Sequence, residues 1–185
     1  MDAAVDVPAG CTPIAIRVDE PRQLFDSMDP APFRERDLDP RADEFISETA
    51  RELPPAARLA LIVHLARGGM ESAGAGEVAV SVQQYYARRA ATVRRSLRDL
   101  FRTGRISLAI GLVFVAFAIA FGDWLAATIA NERYAKLAQE SLIIGAWVAL
   151  WRPIEIFLYD WWPISAEVRR YERLAAMPVL LTSAP

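Results

Sequence analysis

The chain is poor in the residues that most often carry chemistry. Its 185 residues include one cysteine, Cys11, and one histidine, His64. A single cysteine excludes an intrachain disulfide and a thiolate metal cage, and fits a reducing compartment. A single histidine removes most zinc sites and histidine-based triads. His64 stands between Val63 and Leu65 with no second ligand type nearby, so it reads as an ordinary strand residue. Lysine is nearly missing: Lys136 is the only one among 21 basic residues. Arginine in its place, with abundant alanine, points to a GC-rich genome, which concerns codon usage and not function. The stretch Met1–Glu20 is acidic and has neither a basic n-region nor an apolar h-region. It is not expected to be a signal peptide, and the first apolar span is expected to act as the insertion signal.

Charge is unevenly distributed. Residues 1–55 carry a net charge of −7, residues 56–105 of +6 and residues 106–185 of −1. A formal total of −2 therefore conceals an acidic front and a basic middle. Long hydrophobic runs follow the basic part. Ile106–Phe121 contains no charge, and apolar character resumes after Asp123. A helix over 106–130 is long enough to cross a hydrocarbon core of about 30 Å. The second run, Leu142–Trp151, reaches only about 15 Å as a helix. Continuing through Trp162 completes a span, 141–162, but puts Arg152 and Glu155 inside it. Residues 153–162 lying along the interface is the rival arrangement.

Arginines decide the orientation. Arg88, Arg89, Arg94, Arg95, Arg98, Arg102 and Arg105 precede the first span, and Arg169, Arg170 and Arg173 follow the second. The connection 131–140 is balanced, with Arg133 and Lys136 against Glu132 and Glu140. Both termini are thus expected in the cytoplasm, joined through a short external loop. Trp124 falls near the outer boundary, and Tyr159, Trp161 and Trp162 near the inner one, where aromatic belts belong.

The front of the chain has the patterning of a small folded domain. Residues 1–13 read as a disordered N-terminus. Ile14–Val18 alternates as a short strand. Asp39 is placed to cap a helix that opens with Pro40, and Pro54-Pro55 ends it. Leu59–Leu65 reads as a buried strand, and glycines at 68, 69, 74 and 76 mark a loop. Val80–Arg105 reads as one amphipathic helix with an apolar stripe through Tyr86, Ala90, Val93, Leu97, Leu100 and Gly104. The expected class is α+β: a small cytosolic β-α-β-α domain over 14–75 and an Arg-rich juxtamembrane helix over 76–105. That last long helix leads into a two-helix transmembrane hairpin (spans 106–130 and 141–162, external loop 131–140), with a cytosolic tail over 163–185. Two strands make a marginal sheet in water, so a second copy or a partner is expected to complete it or to cover the 86–104 stripe.

Two clusters are candidate sites. Arg152 and Glu155 lie three apart on a helix and can pair. Such groups cost at least about 2.5 kcal/mol each at the bilayer centre, so pairing is expected there, and Pro153 between them kinks the helix. Arg94, Arg95, Arg98, Arg102 and Arg105 suit anionic lipid head groups, at roughly 1 kcal/mol each. No recognised nucleic-acid fold accompanies that charge, which favours lipid over nucleic acid. Small residues four apart in the first span, Ser107 with Gly111 and Ala118 with Gly122, permit close helix approach. The acidic cluster Asp37, Asp39, Asp43 and Glu44 is explained by helix capping.

The stretches Leu24–Pro40 (LFDSMDPAPFRERDLDP) and Trp151–Pro163 (WRPIEIFLYDWWP) resemble those of a family of uncharacterised bacterial inner-membrane proteins with two spans. The resemblance covers about Ile14 to Pro178. It implies the layout and adds no chemistry. Together these features predict a non-enzymatic, membrane-anchored interaction or scaffolding protein that needs no cofactor and self-associates or docks a partner through its cytosolic domain. The alternative is a small transport or channel subunit whose polar path is lined by the second span, with Arg152, Glu155 and Asp123.

Overall fold

The computed structural model describes residues 8–30, 32, 36–66, 75–128 and 132–183. The fold is mixed α/β, with a small three-stranded parallel sheet and long helices, two of which are apolar and long enough to cross a membrane. The elements are β1 (Cys11–Val18), a 3-10 turn (Pro21–Leu24), α1 (Pro40–Glu52), β2 (Arg58–Leu65), α2 (Ala75–Thr128), α3 (Glu132–Glu155), a π-helical turn (Ile156–Asp160), α4 (Trp161–Ala175) and β3 (Val179–Ser183). Two compact units result: Met1–Val93 with Ala166–Pro185, and Arg94–Ser165.

In the first unit β2 is the central strand. It pairs in parallel with β1, Ile14 beside Leu61 and Ile16 beside Val63, and with β3, Leu61 beside Val179 and Val63 beside Leu181. Neighbours in register share a face, so these residues form one apolar surface. Upon it pack Ile46 and Ala50 of α1, Val82 and Tyr86 of α2, and Tyr171 and Leu174 of α4. Each fully buried Leu or Ile contributes about 1.5–3 kcal/mol. The central strand is buried on both faces from Leu59 to Val63, which explains its unbroken apolar run. Helix α1 starts as expected: the Asp39 carboxylate accepts from the N–H groups of Arg41 (3.0 Å) and Ala42 (3.3 Å), and Pro40 opens the helix.

Several expected boundaries differ. Strand β1 begins at Cys11, inside the N-terminal stretch assigned to disorder. Residues 132–140, expected as an external loop, are helical and belong to α3. The juxtamembrane helix and the first span are one helix, which starts at Ala75 and is described to Thr128. Of the glycines expected to mark a loop before it, those at 68, 69 and 74 fall outside the described residues, and Gly76 is already in the first turn of α2. The largest correction concerns 163–185, expected as a tail. It supplies most of α4 and all of β3. The sheet expected to need a second copy is completed by the chain's own C-terminal strand, and Tyr86 and Ala90 of the apolar stripe are buried in the same core. Val179–Ser183 is five residues with no polar–apolar alternation, so no local pattern marks it as a strand.

Side chains lock the returning segment in place. Arg173 Nη2 donates to the carbonyls of Pro54 (3.1 Å) and Ala57 (2.9 Å), holding α4 to the α1–β2 turn. Gln83 Nε2 donates to Met177 O (2.9 Å), and the Leu61 N–H to Pro178 O (2.9 Å). Leu174 is fully buried in this core. Its replacement, Leu174→Ala, is expected to destabilise the first unit by about 2–5 kcal/mol, read by denaturant unfolding of the full chain in detergent.

Candidate functional site

The second unit is a helical hairpin built around small residues. Gly104, Gly111, Ala118 and Gly122 of α2 are buried along one side. A Cβ on Gly104 would lie 2.8 Å from Ile156 Cγ2, one on Gly111 2.9 Å from Leu150 Cδ2, and one on Gly122 3.7 Å from Leu142 Cδ1. The first three recur every seven residues, the spacing that keeps one seam against a neighbouring helix. Of the two small-residue pairs noted in the sequence, Gly111, Ala118 and Gly122 face this seam, whereas Ser107 is only partly covered. Gly104 was assigned to the amphipathic stripe and proves to be a seam residue.

The outer faces of the hairpin are bare. Only 17% of the most apolar stretch of each long helix is buried in the chain. Val113, Trp147, Val148 and Trp151 are each about 70% exposed. A soluble core helix would bury such residues.

The hairpin register fixes the level of its charges. Gly104 faces Ile156 and Gly111 faces Leu150, so Glu155 stands level with Arg105, and Arg152 about one turn further on, level with Leu108. Arg152 and Glu155 are therefore level with the beginning of the uncharged run of α2, not with its middle. Arg152 Nη1 contacts Glu155 Oε2 at 2.9 Å, as its spacing predicted, and also Asp160 Oδ2 at 3.2 Å. On an unbroken α-helix residue 160 would stand about 80° round the axis from residue 152. The π turn Ile156–Asp160 advances less per residue and brings Asp160 back to the arginine. Pro153 lies inside α3 and has no N–H to offer the Ala149 carbonyl four residues earlier. That carbonyl faces α2, 3.3 Å from the position of a Cβ on Gly111. Trp161 Nε1 donates to Phe157 O (2.9 Å) within the π turn. Nothing in the sequence spacing announced Asp160 as a partner, because the signal lay in a non-α turn.

The arginine row divides between the units. Arg88 and Arg89 belong to the first, where Arg88 pairs with Asp37 (3.2 Å) and Arg89 with Asp43 (2.7 Å). Arg94, Arg95, Arg98, Arg102 and Arg105 belong to the second and are exposed. Asp43 was read as a capping acid. It does lie in the first turn of α1, but it is buried, with its carboxylate on Arg89 and accepting from Ser47 Oγ (3.3 Å). The Arg89 guanidinium lies over the rings of Tyr85 (5.6 Å) and Tyr171 (5.9 Å), and Tyr86 stacks with Tyr171. Beside it opens a groove of about 640 Å³ lined by Asp26, Asp37, Glu44, Tyr85 and Arg88 among others. Among the described residues no group of His, Cys, Asp and Glu side chains is placed to hold a metal ion.

Burial, and then the Asp43 carboxylate, push the Tyr85 hydroxyl up to about 12 against the opposing pull of Arg89. Burial raises Tyr86 as well. The hydrogen bond that Arg89 donates to Asp43 raises the arginine further. The folded chain therefore keeps phenolic protons that the unfolded chain releases near pH 10. The stability that Tyr85 contributes is complete below pH 10 and falls as pH rises from there through about 12. Asp43→Asn should move the Tyr85 titration back towards 10, as followed by tyrosinate absorbance. In the hairpin, Gly111→Val should separate α2 from α3 and cost about 1–3 kcal/mol, read as a lower melting temperature in detergent. No family model, curated protein or solved structure matches the chain.

Proposed function

We propose that this chain is an integral protein of the bacterial inner membrane, a non-enzymatic scaffold whose two-helix hairpin anchors a cytosolic α/β domain that docks a partner or a second copy. The pairing of β3 with β2 carries this reading. Strands before and after the hairpin share one sheet, so both arms start and finish on the same side of any membrane they cross. Two crossings meet that requirement, and one does not. The five exposed arginines at the start of the hairpin, against a balanced far end, favour the cytoplasm for that side.

The uncharged parts of the two arms, 106–122 and 141–151, support a thin apolar slab. Seventeen residues of α2 give about 25 Å, somewhat less than a typical core, and Asp123, Glu140 and Arg152 can reach the interfaces from its edges. Arg102 and Arg105 then lie within reach of anionic head groups, while Arg94 stands about 16 Å along the helix from Arg105. Arg152, Glu155 and Asp160 gather at one rim and Asp123 stands at the other with no charge between, which favours an anchor over a polar transport path.

In a Cys11→Ala background, an impermeant maleimide applied to intact inner-membrane spheroplasts should label Tyr134→Cys and spare Arg17→Cys until lysis. Labelling of Arg17→Cys on intact cells, or release of the chain by alkaline carbonate, would sink the topology. Purification in mild detergent should retain a stoichiometric partner or a second copy, and a lone monomer would contradict the docking role.

A further inference from the structure

Charges at the rim of the hairpin do not balance within one chain. Arg152 already holds two carboxylates, Glu155 and Asp160, so this trio carries one surplus negative charge. Its members keep 60%, 42% and 29% of their side-chain surface exposed. Across the hairpin, Arg102 and Arg105 are exposed and make no ion pair among the described residues. Gly104 facing Ile156 puts these two arginines at the level of residues 155–158. Surplus acid and unpaired base thus sit at one depth on two different helices, without meeting each other.

Resting on the membrane reading above, we propose that the missing partner is a second copy of this chain, docked so that the Arg152–Glu155–Asp160 trio on one hairpin faces Arg102 and Arg105 of α2 on its neighbour. A bilayer holds every copy at the same depth, so the complementary groups of adjacent copies align without any adjustment in height. Close to the hydrocarbon boundary the effective dielectric is lower than in water, which strengthens such pairs. The apolar surface continues the contact into the membrane. Glu155 is eleven residues beyond Ile144, which brings it to within about 20° of the same line on α3. Trp147, Val148 and Trp151 flank that line and are exposed. On α2, Leu112 lies seven residues beyond Arg105, on its side of the helix, and is also exposed. In a two-fold pair each trio meets the arginines of the other copy, and in a ring each meets those of the next copy, so either closed symmetry satisfies all of these groups.

The test is oligomeric state in nanodiscs of neutral phosphatidylcholine, which supplies no anionic head group, measured by mass photometry on the full-length chain. Wild type should associate, and Arg102→Gln with Arg105→Gln should weaken association at least about tenfold. Asp160→Asn should weaken it too. The double exchange Arg105→Glu with Glu155→Arg should restore part of what either exchange alone removes. Two outcomes overturn the proposal: a monomeric wild type, or association indifferent to the Gln variants. Carbonate extraction of the same variants separates this failure from failure of the membrane reading. A chain that stays inserted but monomeric rejects the contact alone. If association is absent in the neutral discs and the arginines instead raise binding to discs containing anionic lipid, head groups are their partner and the proposal fails.

Discussion

One set of backbone hydrogen bonds constrains the whole molecule. Strand β3 pairs with β2 although the chain between them contains both long apolar helices. Parallel neighbours require a crossover connection, and ordinarily one helix suffices. Here the crossover is divided. The N-terminal part of α2 and the C-terminal part of α4 belong to the first unit, and the hairpin lies between them in sequence. Tyr86 of the outgoing helix stacks on Tyr171 of the returning one, with a ring-centroid distance of 6.2 Å. The side-chain locks on Met177, Pro54 and Ala57 serve the same junction. The β2–β3 pairing and the burial of Tyr171, Leu174 and Met177 in the core are the features of the first unit that come from the chain beyond the hairpin.

The hairpin meets that demand with close packing on one side and backbone adjustment at one end. Glycines at 104 and 111 let α3 approach where any side chain would collide. Near the same end, Pro153 removes a helical hydrogen bond and the π turn follows three residues later. The π turn brings Asp160 to the arginine that already pairs with Glu155 three residues on. Polar cluster and irregular backbone are one structural event, because the irregularity creates the proximity.

Much of this was legible in the sequence wherever a local rule was strong. Asp39-Pro40 announced the start of α1 through a cap and a fixed φ, and Pro54 its end. The continuous apolar run Leu59–Val63 announced a strand buried on both faces. Long uncharged runs announced the two apolar helices. What stayed hidden depended on contacts distant in sequence. The role of Asp43 requires Arg89, 46 residues later. The identity of β3 requires an open edge on β2, and five residues of Val, Leu, Thr and Ser carry no periodic mark of it. Asp160 joins Arg152 only because of a π turn, which no α or β period reveals.

The divided crossover has a consequence in time as well as in space. Ribosomes make chain at about 5–20 residues per second, so roughly 6–24 seconds separate the emergence of Leu65 from that of Ser183. Through that interval β2 exists without its second neighbour, and Leu174 and Met177 have not yet arrived to cover it. An apolar central strand with an open edge is prone to pair with other chains. The domain is therefore at its most vulnerable while the two long apolar helices are being made, and residues 174–183 end that exposure.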